Sequence, residues 1–331
     1  MKKPILIAEI GGNHEGDFEL AYELGLQAIE AGADYIKYQV YTADGLVNPL
    51  LSEARYNHFK RLSLSSDDYI VLAKRIKEAG GNFLASIWNI EDIKLFAPYM
   101  DFFKIGSGDL TCYPILKEIT KTKKPIVLST GLSSLEDVTK AVEFIKSCDA
   151  LYHTDKTMIS IMQCTSMYPT DTKDLNLSVI TNYKELFKGH NIGYSHHHLE
   201  SWPIDVAYSL GANLIEFHFT HDKSIATFRD HQLSLTKKEL LELKNRLDNI
   251  YHAMGSCIKQ QTESEINANH IEEFRRGTYL NKDITSGMTI TEEDLVYLRP
   301  EKGIPASENI VGRIAKIDLK KFNKLDYIEF N

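Results

Sequence analysis

Two stretches decide the fold of this chain: "NIGYSHHH" at residues 191–198 and "NLIEFHF" at residues 213–219. Each contains a short apolar run that leads into histidine, and a segment of helical period separates the two. The same alternation of short β-branched runs and longer helical segments extends from residue 4 to about residue 254. The predicted strands cover residues 4–10, 34–40, 82–86, 102–106, 125–130, 159–164, 191–195 and 213–219.

Eight such units predict an α/β fold, in which eight parallel strands close into a (β/α)8 TIM barrel. The predicted helices include residues 19–31, 66–79, 135–146 and 237–254, and the glycines in "EAGAD", "EAGGN" and "SLGAN" are typical of helix ends. A doubly wound open sheet is the alternative. The count of eight and the lack of a G-x-G-x-x-G sequence after a strand weigh against it.

The sequence pattern changes near the C-terminus. We assign residues 1–259 to the barrel and the polar stretch 260–270, which begins "QQTESEINAN", to a linker. Residues 271–331 are turn-rich with short strand candidates, and they predict a separate small β-rich module. A module of this size would gain stability by docking on a partner.

Composition excludes several classes of function. The 331 residues carry a formal charge of -8, which argues against general nucleic-acid binding. No run of about 18 apolar residues predicts a membrane span. The four scattered cysteines form no CxxC pair and suit a reduced cytoplasm, where we expect the protein to be. Cys164 ends a predicted strand, and we expect a packed thiol with an ordinary pKa there.

Polar residues gather at the carboxyl ends of nearly all the predicted strands. The interior of a barrel prefers Val, Ile and Leu, so this pattern indicates an active site at the C-terminal rim. The residues concerned include Glu9, Lys37, Gln39, Ser86, Lys104, Ser107, Asp109, Ser129, Tyr168, Ser195, His197, Glu216 and His218.

Lys37 and Lys104 lie within apolar strands. Snorkelling lysines at a strand edge are one interpretation. Together with the hydroxyls of Ser107, Ser129 and Ser195, however, the two ammonium groups favour a binding site for a phosphate or carboxylate. The glycine turns in "IGSGD" and "LSTGL" add backbone N–H groups that can approach such an anion. The substrate predicted here is small and multiply anionic.

His197 and His218 end neighbouring predicted strands, so both imidazoles reach the same rim. We favour a metal-binding pair over two structural histidines, because imidazole is the commonest transition-metal ligand. Glu9 or Asp230, with water, would complete the site. His196 should point away from it, since only alternate side chains of an extended segment share a face.

The motifs "IAEIGGNHEGD", "AGADYIKYQ", "FKIGSGD", "PIVLSTG", "QCTSMYP", "IGYSHHH", "GANLIEFHFTHD" and "RPEKGI" occur in an order that resembles the sialic acid (nonulosonate) synthases. Members of that family condense phosphoenolpyruvate (PEP) with an N-acetylated hexose. The resemblance covers essentially the whole chain, and the tail resembles the family's antifreeze-like SAF domain.

The resemblance implies a role for each matching residue. The PEP-binding residues would be Lys37, Ser86, Lys104, Ser107, Ser129 and Ser195. His197 and His218 would bind a divalent metal, Mn²⁺ or Mg²⁺. The residues facing the sugar would be Gln39, Tyr168, Asp230 and Arg299, and the catalytic set would be Glu9, Lys104, Asp109 and Glu216. Arg299, in "LRPEKGI", would reach from the SAF domain into the barrel of the partner subunit, which implies a domain-swapped homodimer.

Four departures from the family pattern lie near the expected site. Asp109 replaces the usual Glu, histidines flank His197 where Asp-His-Thr is common, Trp88 stands in "ASIWN", and Arg229 stands in "TFRDH" where Gly-Pro-Asp-His is frequent. We hypothesise a transferase acting on N-acetylmannosamine or a modified relative, with the departures marking a non-standard acceptor. The alternatives are another metal-dependent aldolase or isomerase for sugar phosphates, and a non-catalytic sugar-binding homologue.

Overall fold

The computed structural model describes residues 2–225 and 227–331. The chain divides into two compact units, Met1–Gly255 and Ser256–Asn331. Each unit has its own hydrophobic core.

Eight parallel strands form the centre of the first unit. They are Ile5–Glu9 (β1), Tyr35–Val40 (β2), Asn82–Ile87 (β3), Phe103–Ile105 (β4), Ile126–Ser129 (β5), Ile159–Cys164 (β6), Asn191–His196 (β7) and Leu214–His218 (β8). β1 pairs with both β2 and β8, and the ladders run from β3 round to β4. β3 and β4 lie side by side, although no ladder joins them within the described residues. The result is a nearly closed parallel barrel, consistent with the predicted (β/α)8 fold and not with an open doubly wound sheet.

Helices surround the barrel. They are Phe18–Glu30 (α1), Ala43–Leu46 (α2), Glu53–Leu62 (α3), Ser66–Glu78 (α4), Ile93–Phe96 (α5), Tyr113–Thr120 (α6), Leu135–Cys148 (α7), Ala150–Thr154 (α8), Val179–Leu186 (α9), Trp202–Leu210 (α10), Asp230–Leu233 (α11) and Lys237–Met254 (α12). Capping boxes begin α4, α7 and α12. After α1, α4 and α10, the glycines of the three predicted helix ends have positive φ angles. No helix in the described part of the chain is long and apolar enough to span a bilayer.

The second unit contains little regular structure. Its helices are Glu263–Asn267 (α13) and His270–Phe274 (α14), and its strands Gly277–Leu280 (β9) and Leu295–Leu298 (β10) pair antiparallel. Isolated bridges join the remaining segments, and buried aliphatic residues such as Ile284 and Leu325 form the core. The stretch predicted as a linker includes a helix instead, because Thr262 and Glu265 form a capping box at its start.

Candidate active site

The parallel register sets polar side chains of four neighbouring strands at matching levels of the barrel. Glu9 on β1 is level with Lys37 on β2 and with His218 on β8. Ser195 on β7 is level with Glu216 on β8. Because the strands all run in one direction, these residues share the C-terminal end of the barrel, where the sequence predicted the site.

Two lysines and two glutamates form a buried charge cluster, consisting of Glu9, Lys37, Lys104 and Glu216. Each side chain is at most 7% exposed. The Nζ of Lys37 donates to Oε2 of Glu9 and lies 3.7 Å from Oε2 of Glu216. The Nζ of Lys104 lies 3.3 Å from Oε1 of Glu216. Glu216 therefore bridges two ammonium groups, which offsets the large cost of burying either charge alone.

The pKa values within the buried charge cluster diverge. Burial acts to raise the pKa of Glu216, but Lys104 and Lys37 outweigh it and lower that pKa to about 2. Burial raises the pKa of Glu9, because Lys37 compensates for only part of the lost hydration. Burial lowers the pKa of Lys104, whereas Glu216 and Glu9 overcome burial at Lys37 and raise its pKa. Glu216 is thus the stable anion, and Glu9 is the carboxylate that more readily accepts a proton.

Two of the serines predicted to bind an anion contact this cluster, and a third lies on the neighbouring strand β3. The Oγ of Ser129 accepts a hydrogen bond from Nζ of Lys104 at 2.6 Å. The hydroxyl of Ser195 donates to Oε1 of Glu216 at 2.8 Å. Ser86 is buried on β3, next to Gln39 of β2 in the ladder. Lys104 therefore has a hydroxyl at hydrogen-bond distance, whereas the described contacts of the Nζ of Lys37 are the carboxylates of Glu9 and Glu216.

A cavity of about 380 Å³ lies at the ends of β5 and β6, and its lining includes Gly131 and Ser166. The backbone N–H of Gly131 donates to Oγ of Ser107 at 3.0 Å. A Cβ atom at position 131 would lie 2.3 Å from Oγ of Ser166 and 2.8 Å from Oγ of Ser107, so glycine allows both hydroxyls to approach. Ser166 thereby joins the predicted Ser107. Its motif was visible in the sequence, but its contact across Gly131 was not.

His197 and His218 come together as predicted, with ring centroids 5.4 Å apart. The Nδ1 of His197 lies 2.9 Å from the carbonyl oxygen of Thr165, and Nδ1 of His218 lies 3.6 Å from Oδ2 of Asp230. The carbonyl at Nδ1 of His197 is typical of a metal-binding histidine, because it orients the ring and leaves the other nitrogen for an ion. At His218 the carboxylate lies beyond hydrogen-bond distance, and Nδ1 has no hydrogen-bond partner among the described residues. Burial lowers the pKa of His218 to about 4, so this ring is neutral at pH 7, as a ligand must be.

The imidazole pair would supply two ligands to a metal ion, which is not a complete protein site. Across residues 2–225 and 227–331, no group of three or more His, Cys, Asp and Glu side chains is placed to hold an ion. The structure therefore corrects the expectation that Glu9 or Asp230 is a third ligand. Glu9 is bonded to Lys37 and Gln39, and Asp230 lies on the Nδ1 side of His218. The pair fits an open metal site in which substrate and water complete the coordination.

Cys164 is buried, as predicted, but the prediction of an ordinary thiol is wrong. Its Sγ lies 3.7 Å from Nδ1 of His197 and accepts from Oγ of Ser107 at 3.6 Å. Burial acts to raise the pKa of Cys164, yet His197 outweighs it and lowers that pKa to about 7. The two residues are 33 positions apart, so no local pattern reveals the contact.

Residues predicted to face the sugar adjoin the imidazoles. The ring of Tyr168 lies 4.1 Å from that of His197 and meets His218 edge-on at 5.8 Å. The amide of Gln39 donates to Oε1 of Glu9 at 2.6 Å, which connects this side to the buried charge cluster.

Three residues stand apart from these contacts. Asp109 is half-buried, no described residue bonds its carboxylate, and burial raises its pKa to about 6 against the opposing charge of Lys104. His196 is buried beside the hydroxyl of Tyr194 at 3.3 Å, and no hydrogen bond joins it to His197, as expected of a side chain that points away. Arg299 is exposed in the second unit, directly after β10.

Comparison with known proteins identifies the family. The NeuB family model matches residues 26–259. N,N'-diacetyllegionaminic acid synthase of Legionella pneumophila is 33% identical, over 95% of this chain and 91% of that protein. Human N-acetylneuraminate-9-phosphate synthase is 32% identical, over 93% of this chain and 87% of its own length. The crystal structure of the sialic acid synthetase of Leptospira borgpetersenii, 26% identical, superposes with a TM-score of 0.73 over 81% of this chain and 91% of that one. This chain belongs to the NeuB family, whose relatives named here are synthases.

Proposed function

We propose that this protein condenses PEP with an N-acetylated hexose, giving a nonulosonic acid and inorganic phosphate. The observation that carries the proposal is the buried charge cluster beside a converging pair of imidazoles. A pair of buried lysines suits a multiply charged anion, and two converging imidazoles suit a divalent cation. The relatives' names supply the product class.

PEP carries a phosphate and a carboxylate, so it needs several donors at once. Lys37 and Lys104 would contribute the ammonium groups, and the hydroxyls would come from Ser86, Ser107, Ser129 and Ser195. In the free protein, Glu216 lies within 4 Å of both lysines. This carboxylate keeps both lysines in place and limits the loss of their charge on burial, so the anion site is formed before the substrate arrives.

His197 and His218 would hold Mn²⁺ or Mg²⁺. Such an ion, when bound, supplies positive charge for the aldehyde oxygen of the open-chain sugar. Nitrogen ligands suit Mn²⁺ better than Mg²⁺, which prefers oxygen and gives up its water reluctantly. We therefore expect Mn²⁺ to support the higher activity.

The reaction forms a C–C bond and a C–O bond and breaks the C–O bond to phosphate. C3 of PEP joins the aldehyde carbon of the sugar, water adds to C2, and the C2–O bond to phosphate then breaks. Glu9 would take the proton released by that water, because its pKa is raised and Gln39 and Lys37 hold both of its oxygens. Tyr168 and Asp230 would face the acceptor beside the imidazoles.

The family resemblance extends the proposal to the tail. Residues 271–331 would act as an SAF domain, and Arg299 would bind the acyl-amino group of a sugar held by the partner subunit of a homodimer. The Arg299→Ala variant should raise the KM for the sugar far more than the KM for PEP. An unchanged KM for both substrates would remove the tail from the proposal.

The central test follows phosphate release from PEP labelled with ¹⁸O at the oxygen between C2 and phosphorus. C–O cleavage delivers the label to inorganic phosphate, whereas P–O cleavage leaves it on the carbon product. Release should require an N-acetylated hexose, stop after chelation and resume with Mn²⁺. His218→Ala should lose this activity by roughly 10²-fold or more, while His153→Ala, a change on the surface helix α8, should keep it.

Two alternative hypotheses of function predict different results in the same assay. An aldolase or isomerase would convert a sugar phosphate without PEP. A non-catalytic homologue would bind the sugar but release no phosphate even with Mn²⁺. Either result would overturn the proposed condensation.

A further inference from the structure

Arg229 is held at the acceptor side of the site by contacts that leave most of it in solvent. Its Nε lies 3.4 Å from Oδ1 of Asp230, and Oδ2 of the same carboxylate lies 3.6 Å from Nδ1 of His218. Its guanidinium carbon lies 4.8 Å from the ring centroid of Tyr168. The side chain is nevertheless 68% exposed, and no described residue accepts a hydrogen bond from its terminal nitrogens.

Further charged groups lie near Arg229. His58 on α3 is close to it, and Arg55 and Arg61 of the same helix lie near His58. The carboxylates in this part of the rim are Glu15, 3.6 Å from Arg61, Asp230 and Glu53 in the first turn of α3. The charges therefore nearly balance, and Arg229 is distinguished by terminal nitrogens that no described residue bonds.

One carboxylate connects Arg229 to the imidazole pair. Oδ2 of Asp230 lies 3.6 Å from Nδ1 of His218, and Oδ1 lies 3.4 Å from Nε of Arg229. The five C–C bonds of an open-chain hexose, each about 1.5 Å, span about 6 Å when extended. A sugar of this length is long enough to have its aldehyde at the imidazole pair and its last carbon near the guanidinium.

We propose that Arg229 sets acceptor specificity by binding an anionic group, phosphate or carboxylate, on the carbon farthest from the aldehyde. The inference rests on the proposed function. A guanidinium fork binds the paired oxygens of such groups through parallel N–H···O bonds, and lysine cannot reproduce this geometry.

The test compares three acceptors under saturating PEP and Mn²⁺: N-acetylmannosamine, its 6-phosphate and its 6-carboxylate. The unmodified protein should use one of the two anionic sugars with kcat/KM roughly ten- to a hundredfold above that of the neutral sugar. Arg229→Ala should abolish this preference through the KM of the anionic sugar, and Arg229→Lys should restore part of it. Lys77→Ala removes one positive charge from an exposed position in the last turn of α4 and should keep the preference intact.

Several outcomes would overturn the inference. A preference for the neutral sugar, or a preference for the anionic sugar that survives in Arg229→Ala, would each do so and would leave the PEP condensation standing. If no acceptor is consumed, the proposed function fails instead. Calorimetry then still decides the role of Arg229: 6-phosphate that binds the unmodified protein no more tightly than Arg229→Ala contradicts it.

Discussion

Two regions at the C-terminal end of the barrel, which we call the floor and the rim, differ in how completely their polar groups are paired. The floor is the buried charge cluster, and each of its charged groups has an opposite charge within 4 Å. The rim includes Trp88, Asp109 and Arg229, and its polar groups are less completely paired. The indole N–H of Trp88 has no partner among the described residues, and neither has the carboxylate of Asp109.

The difference follows from the elements that carry each region. Floor residues lie on strands whose register the ladders fix, so their side chains are held in one arrangement. The rim residues follow the strands in loops and short turns, where sequence can change without disturbing the core. We infer that the floor performs the proposed condensation and that the rim selects the acceptor. Changes in the floor should therefore cost most, and changes in the rim should mainly alter preference or pH response.

Lys104→Met should have the largest effect, because it removes one of the two cations that Glu216 bridges. Turnover should fall by roughly 10³-fold through the loss of a preorganised charge at the proposed PEP site. The free energy of unfolding should fall by up to about 3 kcal/mol, since Glu216 loses a buried partner. Steady-state kinetics and urea denaturation measure the two effects.

Lys124→Met is the matched control. Lys124 is half-buried and donates to the carbonyl of Met100 at 2.6 Å, just before β5 and away from the strand ends that carry the site. This variant can lose some stability but should keep turnover. If Lys104→Met keeps normal turnover while remaining folded, the floor does not carry the chemistry.

Asp230 lies between the floor and the rim, and the Asp230→Asn variant should have an intermediate effect. Asp230 faces Nδ1 of His218, and the loss of such a carboxylate typically weakens metal binding by about 10- to 100-fold. The Mn²⁺ concentration needed for half-maximal activity should rise accordingly. Asp171→Asn makes the same change at an exposed side chain and should leave it unaltered. Equal Mn²⁺ requirements in both variants would contradict an orienting role for Asp230.

The sequence predicted the barrel well because strand periodicity and helix-ending glycines are local signals. The predicted strand at residues 159–164 matches β6, and the predicted helix at 237–254 matches α12. Polar residues at the strand ends also predicted most of the buried charge cluster, since the C-terminal ends of parallel strands lie at the same end of a barrel. The helix α13 was missed, because polar residues without a hydrophobic period resemble a linker until their capping box is recognised.

Contacts between distant residues could not be predicted in the same way. The shift in the pKa of Cys164 requires His197 beside it, and the close approach of Oγ of Ser166 to the backbone requires a glycine at position 131. The sequence predicted Asp230 to lie beside the metal. Only the structure shows that it lies on the Nδ1 side of His218, where it would orient the ring and would not bind the ion. Residue types indicated the chemistry of the site, and tertiary packing determined which atoms face each other.

Asp109→Asn should have the smallest effect and tests the rim through stability. Burial raises the pKa of Asp109 to about 6, above its ordinary value of 3.8, so the folded state favours the protonated carboxyl. This contribution is fully present below about pH 4 and is lost as the pH rises through 6. The unmodified protein should therefore lose about 1–2 kcal/mol relative to Asp109→Asn between pH 4 and pH 7, the full shift being reduced because the group is partly exposed. Urea denaturation of both proteins across this range measures the difference, and parallel pH profiles would show that this carboxylate is hydrated as well as any on the surface.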